Sequence, residues 1–374
     1  MRFAIDARGV NWYRGTGIGT YTENVLSNLL NLDKENFYNI YWYGKDYELY
    51  EKSNTDLILC SKKHNSFFNL SYFPKDLEKK NIDLYHIPQN GIGLNKNYPC
   101  KTLVTIHDLI PYIMPETVGK GYLTKFLREM PEVIDSCESI ITVSEWSKQD
   151  ILKFFPMDPD RIFVTPLAAD KKYKPLDKAK CKEIILKSFG IDKKFILYLG
   201  GFSPRKNVRG LIKAFKDMYK DLNDEYELVI LGSLKDEGSL LLNFAEEINI
   251  KSKIHFLGFV AEEMLPIFYN SCECFVYPSL YEGFGLPPLE AMSCGCPLIS
   301  SNTTSIPEVV KDAGYLIDSK KSINISEALF KVLSNEDFKI NLSKKALSRS
   351  LDFSWEITSK NTLDAYTKVA NSCI

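Results

Sequence analysis

The chain has 374 residues, of which 45% are hydrophobic and 25% charged; this composition is typical of globular proteins and excludes disordered, collagen-like and coiled-coil chains. The formal net charge is -1 at pH 7, so the basic excess of nucleic-acid-binding proteins is absent. Because single cores seldom grow beyond about 300 residues, we expect two domains.

The amino-terminal segment MRFAIDARGV has no apolar run behind a basic start, and the sequence contains no apolar stretch of about 18 residues. The nine cysteines are an odd number, which favours reduced thiols over a disulfide framework. We therefore expect a cytoplasmic protein without a transmembrane span.

Short apolar runs rich in β-branched and aromatic residues alternate with helical patterns, which is typical of parallel sheets covered by helices. The first half contains seven predicted strands: Arg2–Asp6, Asn39–Tyr43, Leu57–Cys60, Leu84–Ile87, Leu103–Ile106, Ile140–Val143 and Ile162–Val164. The clearest helices between them are predicted at Tyr21–Asn31 and Ser147–Phe155.

A polar stretch, Asp170–Lys182, predicts a linker that runs into a helix, and the alternating pattern then restarts. Six further strands are predicted: Phe195–Leu199, Glu227–Leu231, Ile254–Phe256, Cys274–Tyr277, Leu298–Ser300 and Tyr315–Ile317. A closing helix follows Ser354, a suitable N-cap. The predicted architecture is α/β, with domains at 1–170 and 171–353 and a terminal helix within 354–374.

The loop Arg14–Gly19 (RGTGIG) precedes the first predicted helix. Its glycines would allow close approach of the backbone to a bound group, and a helix N-terminus offers free N–H groups to an anion. The pattern is also compatible with a purely structural turn between strand and helix.

Polar side chains follow two predicted strands at their carboxyl ends, where open parallel sheets bind ligands. His107 and Asp108 come after Leu103–Ile106, although a histidine in this place can also donate to a loop carbonyl. Arg205 and Lys206 follow the first strand of the second half, and such adjacent cations suit a diphosphate. A solvated basic turn is the alternative for this pair.

The segment Tyr277–Met292 (YPSLYEGFGLPPLEAM) combines a glycine-rich turn with prolines that mark a first helical turn. Glu282 precedes the turn and Glu290 is predicted in the first helical turn. Because carboxylates accept paired hydrogen bonds from vicinal hydroxyls, ribose and hexose are natural ligands. The helix dipole would also explain Glu290, whereas the sequence offers no structural reason for Glu282.

Cys272, Cys274, Cys294 and Cys296 form two C-x-C pairs, which could supply four thiolates to zinc. The first pair leads into a strand-like apolar segment, where cysteine acts as a small buried hydrophobe. We therefore expect no metal site here.

These motifs resemble the retaining glycosyltransferases of family 4, which have the GT-B fold. The segments that carry the resemblance are GTGIGTYTENV, VTIHDLIP, ITVSEWSK, LGGFSPRKN, IHFLGFV, YEGFGLPPLEAMSCGCPLISS and the terminal FSWE. They occur in the family's order over nearly the whole length, and the glutamates eight residues apart are the most specific element. The first and fourth segments look most like the mannosyltransferases of surface polysaccharide assembly.

The resemblance implies two Rossmann-like domains that face each other across a deep cleft, with the terminal helix packing back toward the first domain. The second domain would bind a sugar-nucleotide donor, and the first would receive the acceptor. The implied donor contacts are Glu290 to the ribose, Glu282 to the sugar, Gly283, Phe284, Gly285 and Leu286 to sugar and phosphate, Arg205 and Lys206 to the diphosphate, Gly258, Phe259 and Val260 to the base, and Gly17, Ile18 and Gly19 to the phosphates. His107, with Asp108 beside it, would contact the sugar near its reacting face. One departure is Gly201, which stands where many members carry an arginine.

The resemblance further implies hexose transfer with retention and without a metal or other cofactor, and we expect GDP-mannose as donor and a glycan or lipid-linked glycan as acceptor. A UDP-hexose-dependent transferase, a catalytically silent binding module and a phosphorylase or epimerase of the same fold are alternatives. A dinucleotide oxidoreductase is disfavoured because RGTGIGTY lacks the G-x-G-x-x-G spacing. Basic and aromatic residues in Lys62–Lys75 and Gly119–Met130 suggest peripheral contact of the first domain with an anionic membrane.

Overall fold

The computed structural model describes residues 1–94, 96, 98–222, 224–233 and 237–372. The chain divides into two compact units, one formed by Met1–Leu167 together with Ser354–Ile374 and the other by Ala168–Phe353. Each unit contains one parallel sheet covered by helices.

The first unit contains a seven-stranded sheet in the order β3-β2-β1-β4-β5-β6-β7. Its strands are β1 (Arg2–Asp6), β2 (Phe37–Trp42), β3 (Thr55–Leu59), β4 (Leu84–Ile87), β5 (Lys101–Ile106), β6 (Ser139–Thr142) and β7 (Ile162–Val164). Its helices are α1 (Gly9–Trp12), α2 (Gly17–Leu32), α3 (Asn65–Phe67), α4 (Phe73–Lys79), α5 (Ile110–Ile113), α6 (Lys120–Ser136), α7 (Glu145–Phe154) and α16 (Trp355–Asn371). Strands β4 and β6 are buried along their whole length, as expected for parallel strands covered on both faces.

The terminal helix α16 packs on α2 and on the strands β4, β5 and β6 of the first unit. Ser354 caps its start, since the Ser354 hydroxyl accepts from the Ile357 N–H at 3.1 Å. Within the interface, the Tyr366 hydroxyl lies 2.6 Å from Nδ1 of His86, and Nε2 of His86 lies 2.8 Å from the Thr105 hydroxyl. These bonds pair the buried polar side chains of His86, Thr105 and Tyr366.

The second unit contains a six-stranded sheet in the order β10-β9-β8-β11-β12-β13. Its strands are β8 (Lys194–Leu199), β9 (Tyr226–Leu231), β10 (Ile254–Gly258), β11 (Cys274–Tyr277), β12 (Leu298–Ser301) and β13 (Tyr315–Ile317). Its helices are α8 (Lys178–Phe189), α9 (Val208–Met218), α10 (Glu237–Glu247), α11 (Leu265–Ser271), α12 (Leu286–Ser293), α13 (Ile306–Val310), α14 (Ser322–Ser334) and α15 (Glu336–Ser350). The strand order reverses between β8 and β11, which makes their carboxyl ends the expected ligand site of this sheet.

All thirteen predicted strands occur in the described residues, with ends that differ from the prediction by at most two residues. The predicted start of the first long helix at Tyr21 was wrong, because α2 begins at Gly17. Among the helices of the described residues, none combines the length and apolar composition that crossing a bilayer needs.

Candidate active site

The carboxyl ends of β8 and β11 bring three predicted site residues together. Arg205 and Lys206 lie in a single 3-10 turn after β8, and Glu282 lies in the loop after β11. Oε1 of Glu282 accepts from Nζ of Lys206 at 2.5 Å and from Nη1 of Arg205 at 3.1 Å. The two loops are also joined by the Leu280 N–H, which donates to the Arg205 carbonyl at 2.7 Å. The result is one preformed group of two cations and one carboxylate.

Tyr277, the last residue of β11, completes this group. Its hydroxyl accepts from Nζ of Lys206 at 2.6 Å and donates to Oε1 of Glu282 at 3.0 Å. The ammonium of Lys206 also lies 5.0 Å from the centre of the Tyr277 ring. Sequence reasoning did not select Tyr277, although its place at a strand end beside the glycine-rich turn was a usable signal. We call Arg205, Lys206, Tyr277 and Glu282 the cation–carboxylate cluster.

The cluster corrects two readings of the sequence. Lys206 is only 9% exposed, so a solvated basic turn does not describe it. Glu282 has a structural reason to be acidic, because it compensates two cations while being only 8% exposed itself. Burial alone would raise the pKa of Glu282, but Lys206 and Arg205 outweigh it and lower the pKa to about 2. Glu282 is therefore a carboxylate at neutral pH, able to accept hydrogen bonds from sugar hydroxyls.

The conformation of the loop Gly283–Leu286 is stabilised by hydrogen bonds from Ser305. The Ser305 hydroxyl lies 2.9 Å from the Glu282 carbonyl and 2.8 Å from that of Phe284. Gly285, the N-cap of α12, has φ +113°, and a Cβ there would lie 2.7 Å from Cδ1 of Ile306. Only glycine fits this position without strain, so the turn that leads from Glu282 into α12 is fixed by its own sequence.

Glu290 lies on α12 but not where the sequence placed it. It is the fifth residue of Leu286–Ser293, beyond the first turn, so the helix dipole does not account for it. Its Oε2 accepts from the Tyr269 hydroxyl at 3.1 Å, and the Tyr173 side chain also interacts with it. Burial raises the pKa of Glu290 to about 8. Glu282 is therefore ionised at neutral pH, whereas Glu290 ionises as the pH rises toward 8.

The last residue of β10 and the loop that follows it contain the residues predicted to border a base. Gly258 has φ +71°, and its carbonyl accepts from the Gly232 N–H at 2.9 Å. Phe259 is 84% exposed, whereas Val260 is buried. This loop therefore presents one aromatic ring to solvent in the second unit, a surface on which a planar base can stack.

His107 lies in the first unit directly after β5 and is buried. Its ring Nε2 is 2.9 Å from the Pro88 carbonyl, and its backbone N–H donates to Oδ1 of Asn90 at 3.0 Å. The ring of His107 therefore makes the contact with a loop carbonyl that the sequence suggested as its structural role. Burial lowers the pKa of His107 to about 4, so the ring is neutral at pH 7. Asp108 accepts from the Ile110 N–H at 3.0 Å at the start of α5.

The glycine-rich segment Gly17–Gly19 forms the first turn of α2 rather than a loop. Thr16 is the N-cap, and its hydroxyl accepts from the Gly19 N–H at 3.4 Å. A Cβ on Gly19 would lie 2.3 Å from the Tyr13 carbonyl oxygen, so this glycine is required by packing. A Cβ on Gly17 would meet no atom within 4 Å. Ile18 is partly exposed beside it.

The cysteine pairs lie in the core of the second unit. Sγ of Cys272 is 3.2 Å from Sγ of Cys296, and both side chains are buried, as are Cys274 and Cys294. Over the described part of the chain, no three His, Cys, Asp or Glu side chains are grouped in a way that could hold a metal ion.

Comparison with known proteins gives two family matches. The family described as Glycosyltransferase Family 4 matches residues 21–173, and the family described as Glycosyl transferases group 1 matches residues 182–349. Each match lies mainly in one of the two units.

Two Escherichia coli relatives and one solved structure are similar over much of the chain. O-antigen chain mannosyltransferase B is 36% identical over 266 residues, which are 71% of this chain and 70% of that protein. Serotype-specific mannosyltransferase WbdA is 31% identical over 280 residues, which are 74% of this chain but 34% of WbdA; the chain thus spans about a third of that relative. Sucrose-phosphate synthase from Thermosynechococcus elongatus has a TM-score of 0.77 at 17% identity, with 98% of both chains covered, which shows a shared fold.

The family matches and the relatives all indicate a glycosyltransferase, and the two parallel-sheet units are the fold expected for one. The chain belongs to the family 4 glycosyltransferases of the GT-B fold, in their mannosyltransferase-like branch.

Proposed function

We propose that this glycosyltransferase moves mannose from GDP-mannose to a hydroxyl of a glycan or lipid-linked glycan, with retention of anomeric configuration and without a metal. The observation that carries the proposal is the cation–carboxylate cluster at the carboxyl ends of β8 and β11. Its two cations suit a diphosphate, and its ionised carboxylate suits the hydroxyls of a sugar. The choice of mannose is supported by the names of the relatives, both mannosyltransferases.

In the second unit, Lys206 and Arg205 would neutralise the diphosphate as it leaves. Because Gly201 supplies no arginine, these two cations carry that charge in our proposal. Glu282 would accept hydrogen bonds from the mannose hydroxyls, and Glu290 would bind the ribose. The loops Gly283–Leu286 and Gly258–Val260 would contact sugar and phosphate and the base, respectively.

The sites proposed in the first unit have less structural support. His107 makes its loop contact and is neutral, which is compatible with a contact to sugar near the reacting carbon. Gly19 is explained by packing, whereas Gly17 has open space beside it. The donor contacts of His107, Asp108 and Gly17–Gly19 stay predictions.

The proposed reaction needs no nucleophile from the protein. The bond between the anomeric carbon and the diphosphate breaks, and the acceptor oxygen forms its bond on the same face of the sugar. The acceptor proton passes to an oxygen of the departing diphosphate. The work of the protein is then to orient both substrates and to stabilise the charge that develops on the leaving group.

Product analysis tests this function directly. The protein is incubated with GDP-mannose or a UDP-hexose and mannose-terminated oligosaccharides, and the product linkage is determined by NMR, with and without EDTA. Because the donor linkage of GDP-mannose is α, we expect an α-mannoside from GDP-mannose alone, unaffected by EDTA. A β-linked product would refute retention, loss of activity in EDTA would refute metal independence, and transfer only from a UDP-hexose would refute the donor. Absence of any transfer would favour a silent binding module.

A second proposal concerns the surface of the first unit, which we propose rests on an anionic membrane. Helix α6 and the segment before α4 share one hydrophobic core, to which Phe126, Met130 and Phe68 contribute. Outward from this core the exposed apolar side chains are Phe67, Leu70, Tyr122 and Leu127, and the exposed basic side chains are Lys62, Lys63, Lys120, Lys125 and Arg128. Apolar side chains among basic ones suit an anionic lipid surface.

Vesicle sedimentation tests this surface. We expect binding to vesicles that contain phosphatidylglycerol at low salt, and weaker binding to neutral vesicles. The double variant Phe67→Ser/Leu70→Ser should bind less, whereas Leu49→Ser, which changes an exposed leucine elsewhere on the unit, should bind as the parent protein. Equal sedimentation with and without vesicles would refute membrane contact.

A further inference from the structure

Two buried tyrosines converge on the carboxyl group of Glu290. Tyr269 lies on α11 and is 1% exposed; its hydroxyl is 3.1 Å from Oε2 of Glu290 and 3.4 Å from the Pro287 carbonyl. Tyr173 lies before α8, is 7% exposed and interacts electrostatically with Glu290. The two rings are 5.9 Å apart in an edge-on arrangement. Two separate segments of the second unit therefore reach the same side chain.

Packing explains the two rings but not the two hydroxyls. A phenylalanine would fill either volume, whereas a buried hydroxyl costs free energy unless it is hydrogen-bonded. The Tyr269 hydroxyl donates to Glu290, the Tyr173 side chain interacts with the same residue, and Glu290 is a side chain with three rotatable bonds. Two donors from fixed rings restrict these bonds and hold the carboxyl group in one orientation.

The number of acceptor sites on the Glu290 carboxylate suits the binding of two vicinal hydroxyls. An ionised carboxylate has about four lone-pair sites on its two oxygens. If the tyrosines occupy two of them, about two remain, which is the number that the vicinal hydroxyls of ribose need. Hydrogen bonds from the tyrosines also favour the ionised form of Glu290 and so oppose the rise in its pKa that burial causes.

We propose that Tyr269 and Tyr173 are positioning residues that orient the carboxylate of Glu290 for the ribose hydroxyls of the donor. This inference rests on the role proposed for Glu290. The tyrosines themselves act through Glu290 and have no assigned contact with the donor, so their removal affects donor binding and leaves the transfer step intact.

Tyr269→Phe and Tyr173→Phe remove the hydroxyls and keep the rings. The matched control is Tyr226→Phe: Tyr226 is a buried tyrosine of the same unit at the amino end of β9, and its hydroxyl is hydrogen-bonded to the Leu333 carbonyl at 3.4 Å. The dissociation constant is measured by calorimetry for GDP and UDP and for their dideoxy analogues, which lack both ribose hydroxyls. Using both bases makes the readout independent of the donor base.

We expect each of the two variants to bind the parent nucleotide about tenfold more weakly than the parent protein does. The dissociation constant of the dideoxy analogue should not change. The donor KM should rise while kcat stays within about twofold, and Tyr226→Phe should match the parent protein. A loss of affinity equal for both nucleotides, or no loss at all, would overturn the proposal. Because each tyrosine is tested separately, unfolding of one variant leaves the other as the test.

The pH dependence of nucleotide binding distinguishes a positioning role from a purely structural one, because a loss of packing alone would not shift it. The groups that face Glu290 are Tyr269, Tyr173, Lys172, Glu262 and Cys294. If the ionised form binds ribose, affinity rises with pH through the pKa of Glu290, and loss of either hydroxyl shifts that rise to higher pH. An unshifted pH profile in both variants would contradict the positioning role.

The variant Glu290→Ala separates failure of this inference from failure of the proposed function. If it weakens binding of the parent nucleotide but not of the dideoxy analogue, the role of Glu290 holds and the tyrosine variants decide the inference. If it affects neither nucleotide, the role of Glu290 fails, and the inference fails with it.

Discussion

Lys206 connects the carboxylate and the tyrosine of the cation–carboxylate cluster, and its ammonium group is buried with both. We expect Lys206→Ala to lower kcat by about 100-fold, because its charge matters most when the diphosphate departs. Donor affinity should fall less, since Arg205 remains. Steady-state kinetics together with calorimetry separate the two quantities.

Lys194→Ala is the matched control, because Lys194 is an exposed lysine of β8 whose partner is Glu225 on the surface. It should leave both kcat and affinity near the parent values. An equal loss of kcat and affinity in Lys206→Ala, or no loss, would remove Lys206 from the catalytic step.

The residues of the cluster could be placed from sequence, but their pairing could not. Arg205, Lys206 and Glu282 each follow a predicted strand at its carboxyl end, and parallel sheets collect such ends at one edge. The sequence separation between Lys206 and Glu282 contains no signal that the two strands are neighbours. The two strands β8 and β11 are neighbours in the sheet. The order of elements along the chain does not determine which strands are neighbours.

At the scale of elements, Glu273 joins two helices to the start of β11. Its carboxylate accepts from Lys178 at 3.1 Å and Lys182 at 2.9 Å on α8, and from Lys339 at 3.0 Å on α15. Burial alone would raise the pKa of Glu273, but the three lysines lower it to about 2. The carboxylate is therefore charged and compensated at neutral pH.

We expect Glu273→Gln to lower the free energy of unfolding by about 3 kcal/mol, because it leaves the mostly buried Lys339 without that carboxylate. Glu225→Gln breaks only the surface pair with Lys194 and should cost less than about 1 kcal/mol. Urea unfolding at pH 7 measures both. A change in Glu273→Gln no larger than in Glu225→Gln would show that the cluster adds nothing to stability.

The elements themselves were largely predictable. Buried parallel strands are short, nearly continuous apolar runs, so the thirteen strands stand out from the helical patterns between them. The start of α2 was not predictable from the apolar period, since Gly17 and Gly19 are poor helix formers. Thr16 supplies the cap that lets the helix begin before its apolar face does.

For the whole molecule, three buried groups contribute to the dependence of stability on pH on either side of neutrality. Burial lowers the pKa of His86 from 6.5 to about 3 and that of His107 to about 4. The unfolded chain therefore binds more protons below pH 6.5, and stability is lost as pH falls from there. Burial raises the pKa of Glu290 from 4.5 to about 8, so the folded chain holds a proton that the unfolded chain has released, and stability is lost as pH rises toward 8.

We therefore expect the free energy of unfolding to decline between pH 6.5 and 8, and Glu290→Gln to remove much of that decline. Urea unfolding at pH 6.5, 7.2 and 8 measures it. Glu225→Gln, which alters an exposed carboxylate, should keep the parent slope. An identical slope in Glu290→Gln would show that Glu290 does not titrate in this range.

The most direct test of the central claim is a thermal-shift screen with GDP, UDP and TDP and their common sugar conjugates. A ligand at a hundred times its dissociation constant stabilises the folded state by about 2.7 kcal/mol, which a melting curve resolves. The account predicts selective stabilisation by GDP and GDP-mannose. A selective shift with UDP would contradict the proposed donor, and no shift with any nucleotide in the folded protein would contradict sugar-nucleotide-dependent transfer itself.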